Sequence, residues 1–210
     1  MFARTAEILT QKLQENNIVT SEQYDLCRFG FQQGLTILLN LLTTICIGVI
    51  MGEFWQSVLF MIAYAPLRSF AGGYHAKTST LCYVYSILMM ITVLFAIKLL
   101  LFNDFICIIA FLVSCVIIAI LSPIEDSNKP LDYIEIKVYR KRTLVITSIE
   151  SMFFIISYFF NWKNAVICIT YVFMVMAFIL CAGKCKNIIC KSKKMFTNKK
   201  GKINHEEKVH

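Results

Sequence analysis

The sequence predicts an all-α, polytopic integral membrane protein with about six transmembrane helices and an amphipathic, interfacial helix at its N-terminus. Three observations predict it. Apolar letters make up 58% of the 210 residues and charged letters 16%, against about 45–50% and about 25% in ordinary soluble domains. The apolar residues gather into six blocks of about twenty, the length that crosses about 30 Å of hydrocarbon as a helix. The basic residues collect in alternate loops, as they do on the cytoplasmic side of a membrane. With only 3 Pro and 8 Gly, a disordered or collagen-like chain is excluded.

Met1–Gln14 carries Phe2, Ala6, Leu9 and Leu13 on one helical stripe, opposite Arg4, Gln11, Lys12 and Gln14. Such a helix lies in the membrane interface or packs on the rest of the protein. It lacks the apolar core and cleavage site of a signal peptide. A second short helix is expected from Ser21, capped by Thr20 or Ser21. The blocks follow at Phe31–Met51, Phe54–Phe70, Leu81–Phe102, Phe105–Leu121, Leu144–Phe160 and Ala165–Ala182. The second is the weakest, because its clean run stops before Arg68, and a re-entrant segment is the alternative. Charge decides for six spans with both termini inside. Of the 21 Lys and Arg residues only Lys98 and Lys163 then face outward. Were the second block not to cross, the five basic residues from Lys129 to Arg142 would face the wrong side.

Pro123 and Pro130 bracket a turn-rich loop, and the basic run Lys137–Arg142 follows it. Residues 1–185 therefore form one membrane domain, with amphipathic helices over 1–28 and the bundle over 31–182. Residues 186–210 form a basic cytoplasmic tail, expected to be disordered or to lie on anionic lipid. The formal charge of +8 points to acidic lipid or an acidic partner rather than nucleic acid, since so apolar a chain does not stay in water. The 9 cysteines are odd in number and several lie in apolar blocks, which suits free thiols rather than a disulfide framework. Cys181, Cys185, Cys190 and His205 match no standard zinc spacing and stand among lysines, so neither metal nor cofactor is expected. Lys98, near the outer end of the third block, snorkels to the headgroups.

Chemistry concentrates between the second and third blocks, in Arg68-Ser-Phe-Ala-Gly72-Gly73-Tyr-His75-Ala-Lys77-Thr78-Ser79-Thr80-Leu-Cys82. Ser79 as helix cap puts Cys82 at the third helical position, where unpaired amides and the helix dipole favour a thiolate. Gly72 and Gly73 let the chain turn so that the His75 imidazole approaches the sulfur and takes its proton. The thiolate can then attack a peptide carbonyl, with amides near Gly73 or at the helix start holding the oxyanion. The plain alternative for such a pair is a packing cysteine and a solvated histidine. Arg68 and Lys129 are candidate carboxylate contacts, against ordinary positive-inside bias. Glu150 lies about seven residues into the fifth block. A carboxylate there is costly and asks for a role: orienting His75, pairing with Arg68, or simply a protonated or hydrogen-bonded side chain.

The run R-x3-GGYHAKTSTLC resembles the signature of the accessory gene regulator B (AgrB) family, bacterial membrane endopeptidases that mature a quorum-sensing propeptide. Its Arg, Gly, His and Cys correspond to Arg68, Gly73, His75 and Cys82. Arg28-Phe-Gly30 is similar to the family's motif at the entry to the first span, with Phe where Tyr is common. Pro123 to Pro130, with Asn128 and Lys129, resembles its central loop, and the likeness covers about residues 1–185. The resemblance implies a cysteine peptidase at the cytoplasmic face, with Cys82 as nucleophile and His75 as base and then acid; independently of it, Arg68, Lys77 and the basic residues of 129–142 on the inner surface would draw an acidic peptide tail. The resemblance also implies an AgrD-like propeptide with an amphipathic leader and an acidic tail as partner, and a homodimer. The enzyme removes the tail, holds the signal segment as a thioester, and releases it as a thiolactone or lactone. Thioester exchange is nearly balanced in energy, so an acyl-enzyme preserves activation. A six-helix permease using Glu150 and Lys98, or a non-catalytic scaffold, are the rival readings.

Overall fold

A computed structural model of the chain describes residues 2–74, 78–99, 103–125 and 132–206, the side chains of Ser79 and of 191–206 excepted. Its elements are α1 (Ala3–Glu15), α2 (Tyr24–Met51), α3 (Phe54–Ala71), α4 (Ser79–Lys98), α5 (Asp104–Leu121), α6 (Tyr133–Phe159) and α7 (Lys163–Glu206). The architecture is all-α, as a lipid-embedded chain requires, because a helix pairs its backbone groups within the segment. Among the described residues, 5 helices are long and apolar enough to cross a membrane: α2, α4, α5, α6 and α7. The remaining block forms α3, whose 18 residues include Gln56, Pro66 and Arg68, and these dilute its apolar run.

The chain divides into two units, Met1–Met61 with Ala76–Leu99, and Ile62–His75 with Leu100–His210. In the first, α1 packs on α2. Ala6 and Thr10 are buried, and the Thr10 hydroxyl donates to Ala6 O at 2.7 Å. Ile8 and Leu9 stay exposed, so one apolar strip of the helix is packed and another is left for lipid. The expected separate helix from Ser21 does not form: α2 begins at Tyr24 and runs unbroken through Gly30 and Gly34 to Met51. Apolar surroundings leave the backbone no partner but its own helix, which outweighs the poor helix propensity of two glycines. Gly52, at φ 75°, ends it in the left-handed conformation.

Helices α2 and α4 run in the same direction. The Thr43 and Tyr83 hydroxyls lie 2.8 Å apart, and near the far ends Lys98 Nζ donates to Met51 O at 3.3 Å. Lys98 thus caps a helix C-terminus, where a cation complements the dipole, instead of only reaching toward headgroups. The 18 residues of α3 span about 27 Å.

In the second unit α7 is the central helix. Its Val166–Leu180 stretch is buried almost throughout, and it packs against both α5 and α6. The Phe111 ring of α5 stacks on Phe154 of α6 at 3.9 Å and meets Phe173 of α7 at 4.6 Å. Cys115 and Ser151 approach at 3.9 Å. The pairs Phe111–Phe154 and Cys115–Ser151 make α6 antiparallel to α5, and Phe111–Phe173 with the Asn187–Glu125 bond further along makes α7 parallel to α5. The side chain of Asn103 caps α5 by accepting from Ile106 N at 3.0 Å.

Helix α6 starts well before its apolar block. Asp132 and Glu135 form a capping box, with Asp132 Oδ1 accepting from Tyr133 N at 2.7 Å and Glu135 Oε2 from Asp132 N at 3.2 Å. The basic run Lys137–Arg142, expected in a loop, is therefore helical. Asn161, at φ 58°, makes the tight turn into α7. The 44 residues of α7 are about 66 Å long, roughly twice the hydrocarbon thickness, so its backbone continues far past the apolar block.

Candidate active site

Arg68 sits in the last turn of α3, which closes at Ala71. Gly72 at φ 71° and Gly73 at φ 113° then turn the chain out of the helix, a path that L side chains resist. The turned segment is fastened on three sides. Arg68 Nη1 donates to Gly72 O, and Nη2 donates to Tyr74 O at 2.7 Å. Gly72 forms a parallel bridge with Ile124, in which Ile124 N donates to Ala71 O at 3.0 Å and Gly73 N to Ile124 O at 3.4 Å. Tyr74 N donates to Ile179 O of α7 at 3.2 Å. A planar guanidinium carries two donors at the spacing needed to join two carbonyls. Arg68 therefore acts as a brace on its own backbone, with one donor from each terminal nitrogen engaged.

The basic run joins the same end of this unit. Arg142 Cζ lies 5.1 Å from the centre of the Phe70 ring, and Tyr139 meets that ring edge-on at 5.9 Å. Asn187 Nδ2 donates to Glu125 O at 2.8 Å, tying α7 to the residue after Ile124. The next residue in the chain after this fastened segment is His75. His75, Lys77 and Lys129 lie outside the described residues.

A Cβ placed on Gly72 would lie 2.3 Å from Ile124 O. Gly72→Ala is expected to break the bridge and to force a left-handed alanine, at about 1–3 kcal/mol. Thermal aggregation of the detergent-solubilised protein reads this directly. An unchanged midpoint means that the bridge to Ile124 does not hold the segment.

In the other unit, Cys82 stands on the first turn of α4. The cap is Thr78, not Ser79: Thr78 is extended at φ −130°, ψ 149°, and its side chain accepts from Leu81 N at 3.3 Å. Cys82 is therefore the fourth helical residue, and its amide already donates to Thr78 O at 3.0 Å. The amides left ahead of the first intrahelical bond are those of Ser79 and Thr80. The dipole fades within one turn, so the helix end acts on this sulfur less than a third-position cysteine would require. Cys82 is a free thiol, half-buried, and Ser86 Oγ bonds its carbonyl at 3.1 Å.

Glu150 lies midway along α6, half-buried, and its Oε2 has no hydrogen-bond partner among the described residues.

The family model for Accessory gene regulator B matches residues 6–182. The chain belongs to the accessory gene regulator B family. This AgrB-family chain is 22% identical over 212 residues to putative AgrB-like protein 2 of Clostridium perfringens strain 13, covering 95% of the chain and 99% of the relative. It is 33% identical over 81 residues to accessory gene regulator protein B of Staphylococcus aureus strain bovine RF122, covering 39% and 43%. It is 28% identical over 88 residues to a putative AgrB-like protein of Halalkalibacterium halodurans, covering 42% and 45%. No solved structure matches it. Membership assigns the AgrB-family chain to accessory gene regulator quorum sensing, and its long apolar helices assign it to the membrane.

The residues that sequence reasoning did not single out are Phe70, Tyr74, Ile124, Ile179 and Gly183. Their partners lie far away in the chain, so no local pattern marks them.

Proposed function

We propose that this chain is a membrane-embedded cysteine endopeptidase that removes the C-terminal tail of an AgrD-like propeptide. The reading is supported by membership of the AgrB family together with the His75 and Cys82 of the motif. His75 directly follows a backbone segment held by Arg68, Ile124 and Ile179, and Cys82 offers a free, partly accessible thiol on the first turn of α4. His75 takes the proton of Cys82 Sγ as the sulfur attacks the scissile carbonyl, forming a C–S bond and an oxyanion. Backbone amides near Gly73 or at Ser79 and Thr80 receive that oxyanion. His75 returns the proton to the departing amine as the C–N bond breaks, leaving the signal segment as a thioester on Cys82. An internal thiol or hydroxyl of the peptide then attacks the thioester, closes the ring and restores the Cys82 thiol. Water is the competing nucleophile, and a site at the rim of a lipid-embedded bundle limits its access.

Both termini and the site lie on the cytoplasmic side in this reading, and the protein acts as a homodimer. Arg142, Arg140 and Lys141 of α6, together with Lys77 and Lys129, draw an acidic tail to that side. The amphipathic leader of the propeptide shares the bilayer surface. Lys98, one of the two residues the permease alternative uses, donates to Met51 O.

Co-expression with the propeptide, followed by mass spectrometry of the larger protein, tests the chemistry. A mass increase equal to the tail-less propeptide less one water, labile to hydroxylamine, is expected on the Cys82 peptide. In His75→Ala that adduct is expected to be absent while the protein still inserts. An adduct retained at wild-type level in His75→Ala removes the proposed base.

A further inference from the structure

The Gly72–Tyr74 segment rests on α7 so closely that no side chain fits between them. A Cβ on Gly183 would lie 2.8 Å from Tyr74 N, 2.9 Å from Gly73 C and 3.1 Å from Gly73 Cα. All three are backbone atoms, so no rotamer change relieves the contact. One turn earlier, Ile179 O accepts Tyr74 N at 3.2 Å, and its Cγ2 would meet a Cβ on Gly73 at 2.7 Å. One turn later, Lys186 Nζ lies 5.1 Å from the centre of the Tyr74 ring. Positions 179, 183 and 186 share one face of a helix. Glycine is a poor helix former, so a glycine inside α7 needs a packing reason, and the segment lying against it supplies one.

We propose that Gly183 is a positioning residue: with Ile179 and Lys186 it forms a seat on α7 that fixes the backbone at Gly73–Tyr74 and thereby the placement of His75. The inference rests on the peptidase reading, in which His75 is the base. Gly183 touches no reacting atom. Its effect reaches the chemistry only through the one-residue step from Tyr74 to His75.

The test uses the full-length protein in membranes, with propeptide cleavage and iodoacetamide alkylation of Cys82 as two readouts. Alkylation is followed on the Cys82 peptide by mass spectrometry at one fixed pH. Gly183→Ala is expected to lower kcat for tail removal about 100-fold, the order that follows from a displacement of about 1 Å, with KM little changed. It is expected to slow Cys82 alkylation, and the double variant is expected to be no slower than His75→Ala alone. Additive slowing in the double variant overturns the proposal, because Gly183 then acts by a route other than His75. Cleavage at the wild-type rate in Gly183→Ala overturns it as well. If His75→Ala itself cleaves normally, the peptidase reading has failed and the proposal falls with it. Should Gly183→Ala not accumulate in the membrane, Lys186→Met reads the same seat through Tyr74. A slower alkylation that vanishes in the His75→Ala background supports the seat, and an unchanged rate overturns it.

Discussion

Cys82→Ala is expected to leave the propeptide at full length. The substitution deletes one sulfur from a half-buried position and leaves the Thr78 cap and the Cys82 amide bond in place. Insertion and abundance should therefore match the parent protein. Tail removal should fall by roughly 10⁴-fold or more, since loss of a nucleophile removes the whole covalent route. Cys82→Ser should be nearly as inactive, because a hydroxyl is a far weaker nucleophile near neutral pH and its ester does not exchange as a thioester does. A permease or scaffold makes the opposite prediction: Cys82→Ser retains function and no peptide adduct forms in either protein. Measured by immunoblot of the propeptide and by intact mass, retained cleavage in Cys82→Ala ends the mechanism. The fourth-position placement of Cys82 sharpens the test. With the helix end acting less on the sulfur, His75 carries most of the activation, so His75→Ala should approach the Cys82→Ala defect.

The helices were legible in the sequence wherever a block of apolar residues met a strong terminator. The α2 end at Met51 and the α5 end at Leu121 fall where the blocks stop, because Gly52 and Pro123 offer no continuation. Starts were harder. Thr78 and Ser79 are both good caps, and only the extended backbone at Thr78 decides between them. At α6 the signal was present in Asp132-x-x-Glu135, a capping box, but the charges that follow it resemble a loop. Lys98 reads as an outward-reaching cation, and its acceptor at Met51 is visible only once α2 and α4 are known to be parallel. The motif's residue types pointed to the site, whereas its supports did not show. Ile124 and Ile179 reach Gly73 and Tyr74 across some 50 and 105 positions of chain, and no periodicity encodes such pairings. At Arg68 an isolated arginine beside a reactive motif suggests a substrate carboxylate, and its bonds to Gly72 O and Tyr74 O add a bracing role that no local pattern announces.

The two roles separate in the outcome of Arg68→Lys. If Arg68 held the acidic tail of the propeptide, lysine would keep the charge and much of the attraction, and KM would rise with kcat preserved. Neutralising the tail's acidic residues would then abolish the difference between the two proteins. A brace behaves differently. The guanidinium joins Gly72 O and Tyr74 O from two separate nitrogens, and an ammonium at the end of a flexible stem cannot hold both carbonyls in one geometry. Each such charge-assisted bond contributes about 1.5–3 kcal/mol, and losing one frees the segment that leads to His75. Arg68→Lys is therefore expected to lower kcat by about 10- to 100-fold with KM nearly constant, and by the same factor for acidic and neutralised tails. Arg68→Ala, which removes both bonds, should be lower still. The steady-state split across the two propeptides decides the matter: a defect confined to KM and dependent on tail charge returns Arg68 to substrate binding and leaves the Gly72–Tyr74 segment held by Ile124 and α7 alone.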